Sequence, residues 1–98
     1  MKESDIEKHL VKRVKALGGE VRKVQWIGRR GAPDRLVMLP EVRNDRTGAV
    51  YGGTWWVELK ASGVPPELHQ IREHHRMRAV GQRVVVIDSI EQVNELLS

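Results

Sequence analysis

Trp55-Trp56-Val57-Glu58-Leu59-Lys60 is the stretch on which the fold turns. Four of its six residues are apolar and strand-favouring, so it reads as a strand through a buried sheet. Strand side chains alternate between faces. Trp56, Glu58 and Lys60 therefore share one face, with Trp55, Val57 and Leu59 on the other. Burying isolated charges costs several kcal/mol each unless they are paired or ligated. Asp34, in Gly31-Ala32-Pro33-Asp34, is the acidic residue placed to join the pair. Two carboxylates and an ammonium on one patch suit a hard divalent cation and an activated water.

Working outward, Ser4-Asp5-Ile6-Glu7 reads as a capping box that opens a helix over 4–17, and Gly18-Gly19 stop it. Ile6, Leu10, Val14 and Leu17 give this helix its apolar stripe. Glu7 is either a capping side chain or, sharing a face with Val11 and Val14, an acid aimed at the sheet edge. A first strand spans 20–26, and Pro33-Asp34 opens a second, Arg35–Leu39, which Pro40 ends. A polar turn at Asn44–Gly48 folds residues 34–60 into a long antiparallel hairpin, with Gly52-Gly53 marking re-entry into the strand of Glu58.

After a connector at 62–66, Pro66 begins a second helix whose stripe is Leu68, Ile71, His75 and Ala79. Val84–Ile87 is an unbroken apolar run, as in a strand covered on both faces and parallel to its partner. A second capping box, Ser89 to Gln92, starts a short helix with Ile90, Val93 and Leu97 inward. The order is helix, three strands, helix, strand, helix: one α/β domain over 1–98 with a mixed sheet.

A net charge of +4 and a pI of about 9.9 suit a polyanionic partner, nucleic acid above all. No apolar run approaches a membrane span, and no signal-peptide pattern is present. With no cysteine, disulfides and thiolate metal sites are excluded, and a cytoplasmic setting is expected. Arg29 and Arg30, between glycines in a loop, and Arg72 and Arg76 on the second helix form a candidate DNA-contacting face.

For the chemistry, Asp34 and Glu58 supply carboxylates for Mg²⁺ or Mn²⁺, and the Leu59 backbone carbonyl is a third oxygen. Lys60 stands beside the water and the scissile phosphate. His69, His74 and His75 lack the spacing and carboxylate of a zinc-binding helix. Of the three, His75 falls on the apolar stripe and reads as a core histidine, the other two as surface residues. Trp26, Trp55 and Trp56 read as packing residues rather than base-stacking platforms.

Pro33-Asp34 followed by Glu58-Leu59-Lys60 matches the PD-(D/E)xK nuclease signature. With Glu7 on the first helix, Gly31-Ala32-Pro33-Asp34, and Gln70 on the next helix, the chain resembles the VRR-NUC (virus-type replication-repair nuclease) family over roughly residues 4–90. The resemblance implies a restriction-endonuclease-like core and an Mg²⁺- or Mn²⁺-dependent phosphodiesterase acting on DNA, with no small-molecule cofactor. It makes Asp34 and Glu58 the metal-binding acids and Lys60 the catalytic lysine. Glu7 becomes the helix-one acid that completes or supports the metal site, and Gln70 the polar residue that orients it. It also implies a phage or bacterial setting in DNA replication or repair, and a homodimer cutting branched, Holliday-junction-like DNA. The contrasting expectation is a non-catalytic DNA-binding module that keeps the nuclease fold. A module that only binds gains nothing from clustering Asp34, Glu58 and Lys60.

Overall fold

The computed structural model describes residues 1–98 and has the expected order of elements. Helix α1 (Glu3–Ala16) precedes strands β1 (Glu20–Lys23), β2 (Arg35–Arg43) and β3 (Val50–Leu59). Helix α2 (Leu68–Ala79), strand β4 (Val84–Ile87) and helix α3 (Ile90–Leu96) complete the chain. The sheet runs β1-β2-β3-β4, with β2 antiparallel to both neighbours and β4 parallel to β3.

The apolar core lies on one face of this sheet. Ile6, Leu10 and Val14 of α1, one helical turn apart, meet Val37, Val57, Leu59 and Ile87 from the strands and Val93 and Leu97 from the α3 end. The alternation read from the sequence holds, because Val57 and Leu59 enter this core while Glu58 faces the opposite side. On that opposite side Trp26 packs on Trp56, ring centroids 5.0 Å apart and tilted by 51°. Trp55, on the core side, carries Arg83 over its ring instead.

Several local expectations give way. Helix α1 starts at Glu3 with Lys2 as its cap, so Ser4 lies inside the first turn and Glu7 closes no capping box. Leu17, just past the helix, is exposed. Strand β1 stops at Lys23 rather than Trp26, although Val24 N–H still donates to Asp34 O. Pro40 does not end β2. The strand continues to Arg43 through a register shift between Leu39 and Val42, where a residue without an N–H costs no ladder bond. Gly52 faces that shift at φ +93°, and a Cβ there would stand 2.0 Å from Pro40 O. Gly52-Gly53 therefore sit within β3 and not at its start. At the last helix Ser89 Oγ accepts from Gln92 N–H as expected, but Gln92 Oε1 accepts from Asp88 N–H instead of closing the box on Ser89.

Helix α2 departs most. It begins at Leu68 with Glu67 as cap, and Leu68, Ile71, His75 and Ala79 are exposed. Its buried residues are Glu73, His74 and Met77. The reason is the surface beneath it: this sheet face carries Glu58, and a buried carboxylate draws polar partners rather than leucines.

Candidate active site

Asp34 and Glu58 are brought together by strand register. Arg35 pairs with Val57 and Leu36 with Trp56, so the next rung sets Asp34 across from Glu58. Opposed residues in an antiparallel pair have Cβ atoms about 5 Å apart. Asp34 belongs to the face of Leu36 and Trp56, whereas Arg35 turns to α1 on the other side. Asp34 is well exposed, its side chain 60% accessible, while that of Glu58 is only 11% accessible.

The loop that delivers Asp34 is fixed at two points. Trp26 Nε1–H donates to Pro33 O at 2.8 Å, and Pro33 is buried. Gly31, at φ +88°, presses against the first turn of α2, where a Cβ would stand 2.6 Å from His69 O and 3.1 Å from the Gln70 Cα. Only glycine fits both the conformation and the space. Gln70 Oε1 accepts from Glu67 N–H at 2.8 Å and so caps the helix that the loop leans on.

Burial pushes the Glu58 carboxyl up to about 7. The Lys60 ammonium opposes the rise, and the Asp34 carboxylate adds to it. His74 lies across from it on α2, its side chain 2% accessible, with Nε2 3.6 Å from Glu58 Oε1. Burial lowers the His74 pKa, Arg78 lowers it further, and Glu73 works against both. The ring is thus neutral near pH 7.

Glu7 is engaged elsewhere. Its carboxylate takes the Nε–H of Arg35, whose Nη1 lies 2.9 Å from Asp34 Oδ1. Burial alone would depress the Arg35 guanidinium, but the Glu7 and Asp34 carboxylates outweigh it and leave the pKa raised. No three His, Asp or Glu side chains converge as a metal cage, so Glu7 does not stand with Asp34 and Glu58 as a third carboxylate. Leu59, the last residue of β3, buries its side chain in the core.

Two of the four candidate basic residues, Arg29 and Arg76, meet at Glu73. This buried carboxylate accepts Arg76 Nε–H at 2.8 Å and holds Arg29 Nε at 3.7 Å, tying the glycine-flanked loop to α2. Arg30 and Arg72 are exposed beside them in sequence. Arg35 and Glu73 carry no role in the sequence reading, and His74, expected at the surface, is buried. The signal was present in the spacing of Gln70, Glu73, His74 and Met77, one helical face whose polar composition disguised it. His75, read as the core histidine, is exposed, and the adjacent His74 takes the buried place.

A protein of Acyrthosiphon pisum secondary endosymbiont phage 1 named "Putative nuclease p44" is 45% identical over 89 residues, covering 91% of this chain and 85% of that one. A solved structure described as a VRR_NUC domain has a TM-score of 0.75 and 39% identity to this chain, covering 99% of it and 96% of its counterpart. The chain belongs to the VRR-NUC family. No family model matches it. The VRR-NUC assignment rests on these two similarities, the second of which extends to the fold, here a four-stranded mixed sheet with three helices.

The donor set fits a hard cation. Asp34 and Glu58 offer oxygen ligands, no thiol is present, and Glu58 is a buried carboxylate whose charge burial disfavours. A bound divalent cation is what would restore that charge.

Proposed function

We propose that this VRR-NUC domain is a metal-dependent DNA endonuclease, with Asp34, Glu58 and Lys60 at its hydrolytic centre. The carrying observation is the register that sets Asp34 across from Glu58, with Lys60 just past the end of β3 and its ammonium favouring the charged form of Glu58. The phage relative's printed name and the family's nuclease fold support the reaction class.

Asp34, Glu58 and the Leu59 carbonyl are the residues that would hold Mg²⁺ or Mn²⁺. When bound, the cation supplies Lewis acidity at the scissile phosphate and acidifies water there. Lys60 donates to a phosphate oxygen and stabilises the charge that grows as water attacks phosphorus. A P–O bond to water forms as the P–O bond to the leaving sugar oxygen breaks, and that oxygen takes up a proton. Arg35 holds Asp34 in place and is itself held by Glu7, so Glu7 supports the site through Arg35. Gln70 acts from the cap of α2, keeping that helix against the Gly31 loop.

Arg29 and Arg76, oriented by Glu73, together with Arg30 and Arg72, would take the DNA backbone beside the site. Selectivity for branched DNA follows from a homodimer that joins two such faces. Val42 and Tyr51, exposed apolar residues paired across the far part of the β2–β3 hairpin, are the surface we assign to the second copy.

The test is cleavage of four-way junction, flap and linear duplex DNA with Mn²⁺, with Mg²⁺ and with chelator. Metal-dependent nicking fastest on the junction supports the reading. Binding of DNA that is equal with and without metal, and no cleavage of any substrate, would make the chain a binding module.

A further inference from the structure

His74 Nε2 is the buried side-chain polar atom that has no hydrogen-bond partner. A buried donor or acceptor left unmade costs about 1–3 kcal/mol, so such an atom calls for a reason. The carboxylate Glu58 Oε1 lies 3.6 Å away, just beyond hydrogen-bond reach. Both side chains are enclosed between α2 and the sheet.

We propose that His74 is a positioning residue for Glu58: its Nε2–H donates to Glu58 Oε1 and holds the carboxylate in one orientation for the cation. This rests on the nuclease reading above. The contact needs a closure of roughly half an ångström to reach ordinary length, within the range of a small side-chain adjustment. The residue type matters. A neutral imidazole orients a carboxylate without cancelling its charge, whereas a lysine or arginine there would compete with the cation for it. This also accounts for a polar ring at the buried position of α2, where a leucine would pack as well but orient nothing.

The experiment uses the full chain and two readouts. The first is the Mn²⁺ dissociation constant by calorimetry for wild type, Glu58→Gln, His74→Leu and His74→Gln. The second is the ¹⁵N spectrum of the His74 ring in metal-free wild type, which needs no variant to fold. We expect the Nε2-protonated tautomer, a loss of Mn²⁺ affinity of about 10- to 100-fold in His74→Leu, and recovery of most of it in His74→Gln, whose amide N–H restores a donor. A protein stabilised by His74 through packing alone would show the same Mn²⁺ affinity in His74→Leu as in wild type, and that result overturns the proposal. The Nδ1-protonated tautomer overturns it equally. Wild type that binds no Mn²⁺ sinks the nuclease reading along with it. Tight wild-type binding that Glu58→Gln abolishes and His74→Leu leaves intact sinks the His74 role alone.

Discussion

Asp34 stands one rung beyond the Arg35–Val57 pair, across the strands from Glu58. Their environments differ sharply, since Asp34 is largely solvated and Glu58 is enclosed beneath α2. Burial makes the charged form of Glu58 costly. That asymmetry shapes the first prediction.

Burial raises the folded-state pKa of Glu58 from 4.5 to about 7. A carboxyl with a raised pKa contributes stability that is full below its unfolded value and lost as pH rises through the folded one. The loss is on the order of 3 kcal/mol. In metal-free protein, Glu58→Gln is therefore expected to gain little over wild type at pH 5 and clearly more at pH 8. Denaturant unfolding at the two pH values checks this, and an equal difference at both would count against it. Asp34→Asn should also leave the metal-free fold intact, since the repulsion it removes from Glu58 offsets the charge partner it takes from Arg35.

Arg35 joins Glu7 of α1 to Asp34. Replacing it leaves the Glu7 carboxylate half-buried beside an empty space. Arg35→Ala is expected to cost about 1–3 kcal/mol of stability and to slow cleavage as well, because Asp34 loses its brace. In a double-mutant cycle with Glu7→Ala the effects should be markedly non-additive. Additive costs would mean that the two side chains work independently.

Much of this was legible in the sequence. Ile6, Leu10 and Val14 announced α1 because an apolar stripe at one-turn spacing has few other readings. The strand of Glu58 could be assigned to faces because alternation is fixed by backbone geometry. Register was the harder matter: a turn at Asn44–Gly48 implied a hairpin, but the slip at Pro40 depends on Gly52 across the ladder. Helix α2 misled for a different reason. Leu68 and Ile71 look like a core stripe, yet the sheet face beneath is charged, and Glu73 and His74 answer it. The face a helix buries is set by what it lands on, and local periodicity carries no record of that.

Gly31 gives a sharp test of the loop. Gly31→Ala would force a Cβ toward His69 O from a backbone conformation that alanine avoids. A loss of about 1–3 kcal/mol is expected, with cleavage falling further than stability because Asp34 shifts with the loop. Thermal melts and initial rates measured side by side decide the point. A variant as stable and as active as wild type would mean the loop is not held against α2.

The assembly prediction is a solution mass about twice the 11.2 kDa of one chain. Tyr51→Asp, at the exposed hairpin surface, should return the mass to that of a single chain and reduce the preference for junction DNA. Light scattering after size exclusion gives the answer directly. A wild-type mass of one chain would remove the dimer from the account and leave the hydrolytic centre untouched.

The most direct measurement is the rate of Mn²⁺-dependent junction cleavage by Lys60→Ala beside wild type, with DNA binding measured on the same samples. Lys60 follows the last residue of β3 and is outside the apolar core, so its removal should leave the fold nearly unchanged and the affinity for DNA, carried mainly by the arginines, little reduced. The expected result is cleavage slowed by about 100-fold or more at near wild-type DNA binding. Cleavage by Lys60→Ala at the wild-type rate would contradict the centre proposed for Asp34, Glu58 and Lys60.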